Sequence, residues 1–173
     1  MNQQQLIDNI AKVTSRVRLA AQKSQRKECD IQMLAVSKTR SAQDIRMASE
    51  AGLHEFGENY LQEALDKMAD LEDLDLVWHF IGPIQSNKTR AIAEHFDWVH
   101  SVDRLKIARR LSDQRPGNLD PLNLCLQVNL SSEASKSGVA PDQVAKLLRD
   151  TAELPRIRVR GLMAIPAPTD DEA

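Results

Sequence analysis

Lys38 is the residue with the most chemistry to offer. It closes the apolar run Ile31 to Lys38, IQMLAVSK, directly after Ser37. A short, nearly unbroken apolar run flanked by helix-like segments reads as a strand buried on both faces of a parallel sheet. In such sheets functional groups collect where strands end at their carboxyl side. An amine partly withdrawn from water there loses its proton readily enough to condense with an aldehyde. By position alone, a solvated loop lysine is the commoner occupant.

Other polar groups fall at predicted strand ends: Glu58 and Asn59, His79, Ser101, Asn129, and Met163 with Ala164. A parallel α/β fold would gather all of them on one face, although strands must in any case give way to polar loops. His79, between Trp78 and Phe80, reads first as a core imidazole with a polar partner. Lys136 stands between two serines in the loop SSEASKSG, where a second amine can meet an anionic ligand or simply be solvated. Gln85 to Lys88 opens a helix after Gly82-Pro83, with Ser86 as its cap; its free N–H groups suit an anion, though capping alone accounts for them. Arg158 and Arg160 alternate with Ile157, Val159 and Gly161, a parity that sets them opposite Met163 as ion-pairing structural residues.

Several chemistries lack support. His54, His95 and His100 show no metal-ligand spacing with one another or with Cys29 and Cys125. No nucleophile-elbow, zinc-protease or P-loop pattern is present, and the scattered glycines build no dinucleotide-binding turn.

The elements that must position these residues alternate strictly. An amphipathic helix over residues 2 to about 24 carries Leu6, Ile10, Val13, Val17 and Ala21 at three- and four-residue steps. After the first strand, Ser41 with Asp44 reads as an N-cap for a helix that stops at Gly52. A short strand at Glu55 and Phe56 leads to a helix from Leu61 to about Leu71. Leu76 to Ile81 and Trp98 to Val102 read as strands, with Asp103 capping the helix that follows. Residues Asp113 to Pro121 form a loop before strand Leu122 to Leu130; Pro141 starts a helix ending near Leu154, and Ile157 to Ile165 is the sixth strand. Strands alternating with helices argue for a parallel sheet with right-handed crossovers. Periodicity does not choose between an open doubly wound sheet and a (β/α)8 barrel, although PAPTDDEA following a strand without a covering helix suits an interrupted barrel.

The totals bound the class. The 173 residues suit one domain, with 42% hydrophobic and 28% charged residues and no low-complexity tract. A net charge of −2 gives no electrostatic case for nucleic acid or an anionic membrane surface. No stretch is long and apolar enough to span a bilayer, no secretory leader is evident, and two distant cysteines fit a reducing cytoplasm.

Taken together, AVSKTR, FGENYLQEALDK, WHFIGPIQSNK, HSVDR, QVNLSSEASKSG and RVRGLMAIPAP, in this order and spacing, resemble the pyridoxal phosphate homeostasis protein family over about residues 31 to 168. That family is similar to the N-terminal barrel domain of alanine racemases. The resemblance implies a (β/α)8 TIM-type barrel with an extra N-terminal helix, about six of whose eight βα units lie in this chain as a single domain over 1–173. It implies pyridoxal 5′-phosphate (PLP) held as a Schiff base on Lys38, with Asn59, His79, Asn129, Lys136 and Met163 facing the cofactor.

The implied role is intracellular vitamin B6 homeostasis without an assigned turnover reaction, in a cytoplasmic monomer. The partners implied are PLP and other B6 vitamers, with PLP-dependent enzymes as recipients. A PLP-dependent racemase is the alternative, and its need for an acid and a base on opposite faces of the substrate is met on one face only by Lys38. A lysine-dependent aldolase without PLP is a second rival. The family's phosphate-binding loop, its glycine-threonine turn and an arginine near the pyridine nitrogen match no residue here. They are expected beyond Ala173, in a longer natural protein.

Overall fold

The computed structural model describes residues 2–130 and 137–165. In chain order these form α1 (Gln3–Lys23), β1 (Ala35–Val36), α2 (Ala42–Glu50), β2 (Glu55–Glu58), α3 (Leu61–Asp70), β3 (Val77–Phe80), α4 (Thr89–His95), β4 (Trp98–Val102), α5 (Leu105–Gln114), β5 (Leu122–Gln127), α6 (Val144–Ala152) and β6 (Ile157–Met163). The predicted alternation is therefore observed. The chain divides into two compact units, one of residues up to Gly57 with Gln62–Leu76, the other of Glu58–Leu61 with the residues from Val77 on.

In the first unit, α1 starts at a capping box in which the Asn2 side chain accepts from the Gln5 N–H and the Gln5 side chain accepts from the Asn2 N–H. α2 starts the same way at Ser41 and Asp44, as read from the sequence, and ends before Gly52, whose φ of 93° suits a residue without a Cβ. The first strand is shorter than expected. Only Ala35 and Val36 pair with β2, in parallel register Ala35 to Phe56 and Val36 to Gly57, and a 3-10 turn at Glu28–Asp30 precedes them. Ile45, Phe56 and Ala64 are buried at the centre of this unit. Arg46 grips Asp73 with two hydrogen bonds of 2.6 and 2.7 Å, tying α2 to the turn after α3.

In the second unit, β3, β4, β5 and β6 pair in parallel in chain order. Val99, Val102, Leu122, Leu124 and Leu126 are fully buried, as are Ile107, Ala108 and Leu111 on α5. Two helix starts differ from the sequence reading. α4 begins at Thr89, without a side-chain cap, and Ser86 serves it through its backbone carbonyl, which accepts the Thr89 hydroxyl at 3.0 Å. α5 follows Arg104 rather than Asp103, and the Asp103 carboxylate is taken up at 2.6 Å by the Arg104 guanidinium. Pro141 opens a 3-10 turn, Pro141–Gln143, that leads into α6.

The face assigned to Arg158 and Arg160 is corrected by the register of β6. Asn123 aligns with Arg158 and Gln127 with Met163, and Asn123 and Gln127 share a face of β5 because they are separated by an even number of residues. Arg158 therefore lies on the same face as Met163, not the opposite one. The cause is a β-bulge, since β6 advances from Val159 to Gly161 while β5 advances from Leu124 to Cys125. The extra residue is Arg160, whose guanidinium lies 5.7 Å from the Trp98 ring centroid. Neither arginine has an ion-pair partner among the described residues.

Candidate functional site

Lys38 occupies an exposed turn immediately after β1. The turn runs from Ser37, whose carbonyl accepts the Arg40 N–H at 3.0 Å, and it is anchored by the Ser37 N–H donating to Gly57 O at 3.0 Å. Thr39, its third residue, has φ of 61°. A β-branched side chain in this left-handed region is a genuine outlier and costs about 1–3 kcal/mol. α3 holds the turn in place. The Glu63 carboxylate accepts the Thr39 N–H at 2.6 Å, and the Lys67 ammonium donates to Ser37 O at 2.8 Å and to Glu63 at 2.6 Å. The hydrogen bond from Lys67, with that from Thr39, holds the Glu63 carboxyl below the ordinary carboxylate range. Lys67 is buried within this strap, whereas Lys38 stays exposed.

Nothing in the sequence reading marked Glu63 and Lys67 as parts of a site. The available signal was their i,i+4 spacing on the helix that follows GEN.

The second unit carries the other described candidates. Asn59 follows β2, and its Oδ1 is buried with no hydrogen-bond partner among the described residues. The backbone of Asn59 lies so close to Gly82 that a Cβ there would collide with Asn59 O. The Ile81 N–H donates to Glu58 O at 2.8 Å, and the buried Ser101 hydroxyl donates to Gly82 O, fixing the loop after β3 against the loop after β2. Glycine is required at this crossing.

Asn129 stands just past β5 and lines a cavity of about 250 Å3 with Gln127, Ser137, Ile81, Pro83 and Ile165. Its place is fixed by residues 137–139. The Asn129 N–H donates to Val139 O at 3.0 Å, the Val139 N–H to Gln127 O at 2.8 Å, and the Gln127 side chain to Ser137 O at 3.2 Å. Gly138, at φ of 128°, permits this closure, since a Cβ would lie 2.6 Å from the Asn129 nitrogen. Met163, the last residue of β6, is half-buried beside Gln127, and its carbonyl accepts the Val128 N–H at 2.8 Å. Lys136 lies outside the described residues.

His79 lies within β3 and is buried. Its Nδ1 is 2.8 Å from His100 Nε2, and its ring stacks on Trp98 at 5.4 Å between centroids. Register puts His79, Trp98, Asn123 and Arg158 in one row across the four strands. The sequence reading of His79 as a core imidazole with a polar partner is therefore observed, but the partner, 21 residues away, was not legible. Burial, and then the neighbouring His79, push the His100 pKa down to about 4. Among the described residues, no group of three or more His, Cys, Asp or Glu side chains is placed to hold a metal ion, and no helix is long and apolar enough to cross a membrane.

These residues suit an aldehyde cofactor in two respects. An exposed amine stands on a turn whose backbone is held on both sides, and a buried amide oxygen, Asn59 Oδ1, has no hydrogen-bond donor among the described residues.

The pattern of the alanine racemase N-terminal domain matches residues 8–173. The pyridoxal phosphate homeostasis protein of Pseudomonas aeruginosa is 63% identical over 168 residues, covering 97% of this chain and 73% of that protein. The protein of the same name from Escherichia coli K12 is 52% identical over 166 residues, covering 94% of this chain and 71% of that one. Among solved structures, PipY of Synechococcus elongatus with PLP bound is 43% identical with a TM-score of 0.75, over 90% of this chain and 71% of that one. Alanine racemase of Corynebacterium glutamicum, 17% identical with a TM-score of 0.64 over 93% of this chain and 44% of that one, shares the fold. The fold is thus α/β, that of the racemase N-terminal barrel domain, and the described residues supply six of the eight strands of a TIM-type barrel, five of them with their following helices.

Proposed function

Because the chain belongs to the pyridoxal phosphate homeostasis protein family, we propose that it binds PLP as a Schiff base on Lys38 and serves vitamin B6 homeostasis without turning over a substrate. The observation that carries this reading is Lys38 itself, an exposed amine at the carboxyl end of β1 on a turn strapped by Glu63 and Lys67. Lys38 would hold the cofactor, whose aldehyde would supply a carbonyl carbon that condenses with the amine and releases one water. The linkage supplies a reversible covalent tether: hydrolysis returns the aldehyde and the free amine unchanged.

Asn59, His79, Asn129 and Met163 form the wall on the cofactor side, joined by Lys136. The Asn59 oxygen, which has no partner among the described residues, and the cavity beside Asn129 support this reading. His79, already engaged with His100 and Trp98, acts as packed support rather than as a proton carrier. The chain works as one PLP-binding domain, a monomer in the cytoplasm. It hands PLP to PLP-dependent enzymes, and vitamers that lack the aldehyde bind without the covalent step.

The test is spectroscopic. Purified protein mixed with PLP develops an imine absorption band that borohydride bleaches, and Lys38→Ala develops none. Incubation of the loaded protein with L-alanine leaves its optical rotation unchanged. Sustained racemisation would overturn the non-catalytic part of the reading, and a full band in Lys38→Ala would overturn the assignment of the amine.

A further inference from the structure

We infer that Glu63 and Lys67 are positioning residues for the Schiff-base lysine, holding the strained Ser37–Arg40 turn so that Lys38 leaves it in one direction. This rests on the reading of Lys38 as the cofactor's amine and adds two residues from a different element to its site.

Lys38 lies between two backbone groups that α3 grips separately: the Ser37 carbonyl receives the Lys67 ammonium at 2.8 Å, and the Thr39 N–H goes to Glu63 at 2.6 Å. The two side chains are themselves paired at 2.6 Å, one helical turn apart. Thr39 sits at φ of 61°, a conformation a β-branched residue leaves unless its surroundings hold it. Glycine would adopt it freely. The strap therefore opposes a local preference of the chain, and it acts on the residues flanking Lys38 without using the Lys38 amine. A reacting group displaced by about 1 Å loses on the order of a hundredfold in rate, so holding this turn is a kinetic matter for condensation with an aldehyde.

The experiment compares the rate of imine formation from PLP in wild type, Glu63→Ala and the double variant Glu63→Ala with Thr39→Gly. Hydrogen exchange at the Thr39 amide is followed in the same proteins without cofactor. The expected result is a loss of at least about tenfold in rate in Glu63→Ala, with faster exchange at Thr39. Most of the rate returns in the double variant, because glycine removes the need for restraint. Lys67→Met lowers the rate in the same direction.

An unchanged rate in Glu63→Ala overturns the inference. So does a slow rate that Thr39→Gly fails to restore, which would mean that Glu63 takes part in the chemistry itself. Should Glu63→Ala fail to fold, Glu63→Asp replaces it. This variant keeps the charge facing Lys67 but retracts the acceptor from Thr39, and it is read by the same outcomes. A wild-type protein that forms no imine on Lys38 overturns the cofactor reading and this inference together, whereas a normal wild type with an unaffected Glu63→Ala overturns this inference alone.

Discussion

His79 Nδ1 and His100 Nε2 lie 2.8 Å apart. At that separation one ring must donate and the other accept, so the pair is satisfied only while one of the facing nitrogens carries no proton. Trp98 is the aromatic neighbour of both rings, and the nearby cation is Arg160, over that indole. A proton added to His100 thus meets a desolvated site and a facing imidazole.

The consequence is a defined pH window. His100 has its pKa lowered from 6.5 to about 4, first by burial and then by His79. A base whose pKa is lower in the folded chain binds its proton less tightly there than when unfolded, so its contribution to stability is full above about pH 6.5 and is lost as the pH falls toward 4. Urea midpoints measured across this range decline in wild type and decline less in His100→Gln. Parallel pH profiles in the two proteins would contradict this account.

Gly82→Ala should destabilise the protein by about 1–3 kcal/mol, because its Cβ has nowhere to go against the Asn59 backbone. PLP uptake should weaken with it, as the loop bearing Asn59 is pushed aside. Gly117→Ala is the control, since a Cβ there meets nothing within 4 Å and the change should be close to neutral. Chemical denaturation of both variants reads the difference.

Arg115 is buried and serves three carbonyls, donating to Ala93 O at 2.8 Å, Phe96 O at 2.7 Å and Asp120 O at 2.8 Å. The first two belong to the carboxyl end of α4, where helical carbonyls lack partners of their own. Arg115→Met should cost on the order of 3 kcal/mol by stranding these acceptors. A denaturation midpoint equal to that of wild type would show that water or relaxed backbone replaces the guanidinium.

Much of this was legible before the structure. The run IQMLAVSK placed a lysine at a strand's carboxyl end, and Ser41 with Asp44 announced an N-cap, because both depend on residues close in sequence. The misses share a physical cause. Asp103 and Ser86 have the side chains of caps, but a neighbouring arginine took the first and the second serves through its carbonyl. A single extra residue in β6 reversed the face assigned to Arg158, and a bulge leaves no mark in alternating apolar residues. The His79–His100 contact, the strap on Lys38 and the threefold use of Arg115 are tertiary. Each joins residues five to thirty positions apart whose types alone say little.

The most direct test of the account is peptide mass spectrometry of protein loaded with PLP and reduced with borohydride. The account predicts the pyridoxyl mass on the peptide containing Lys38, and its absence from the peptides containing Lys67 and Lys136. A pyridoxyl group on either of those lysines, with Lys38 unmodified, would contradict it.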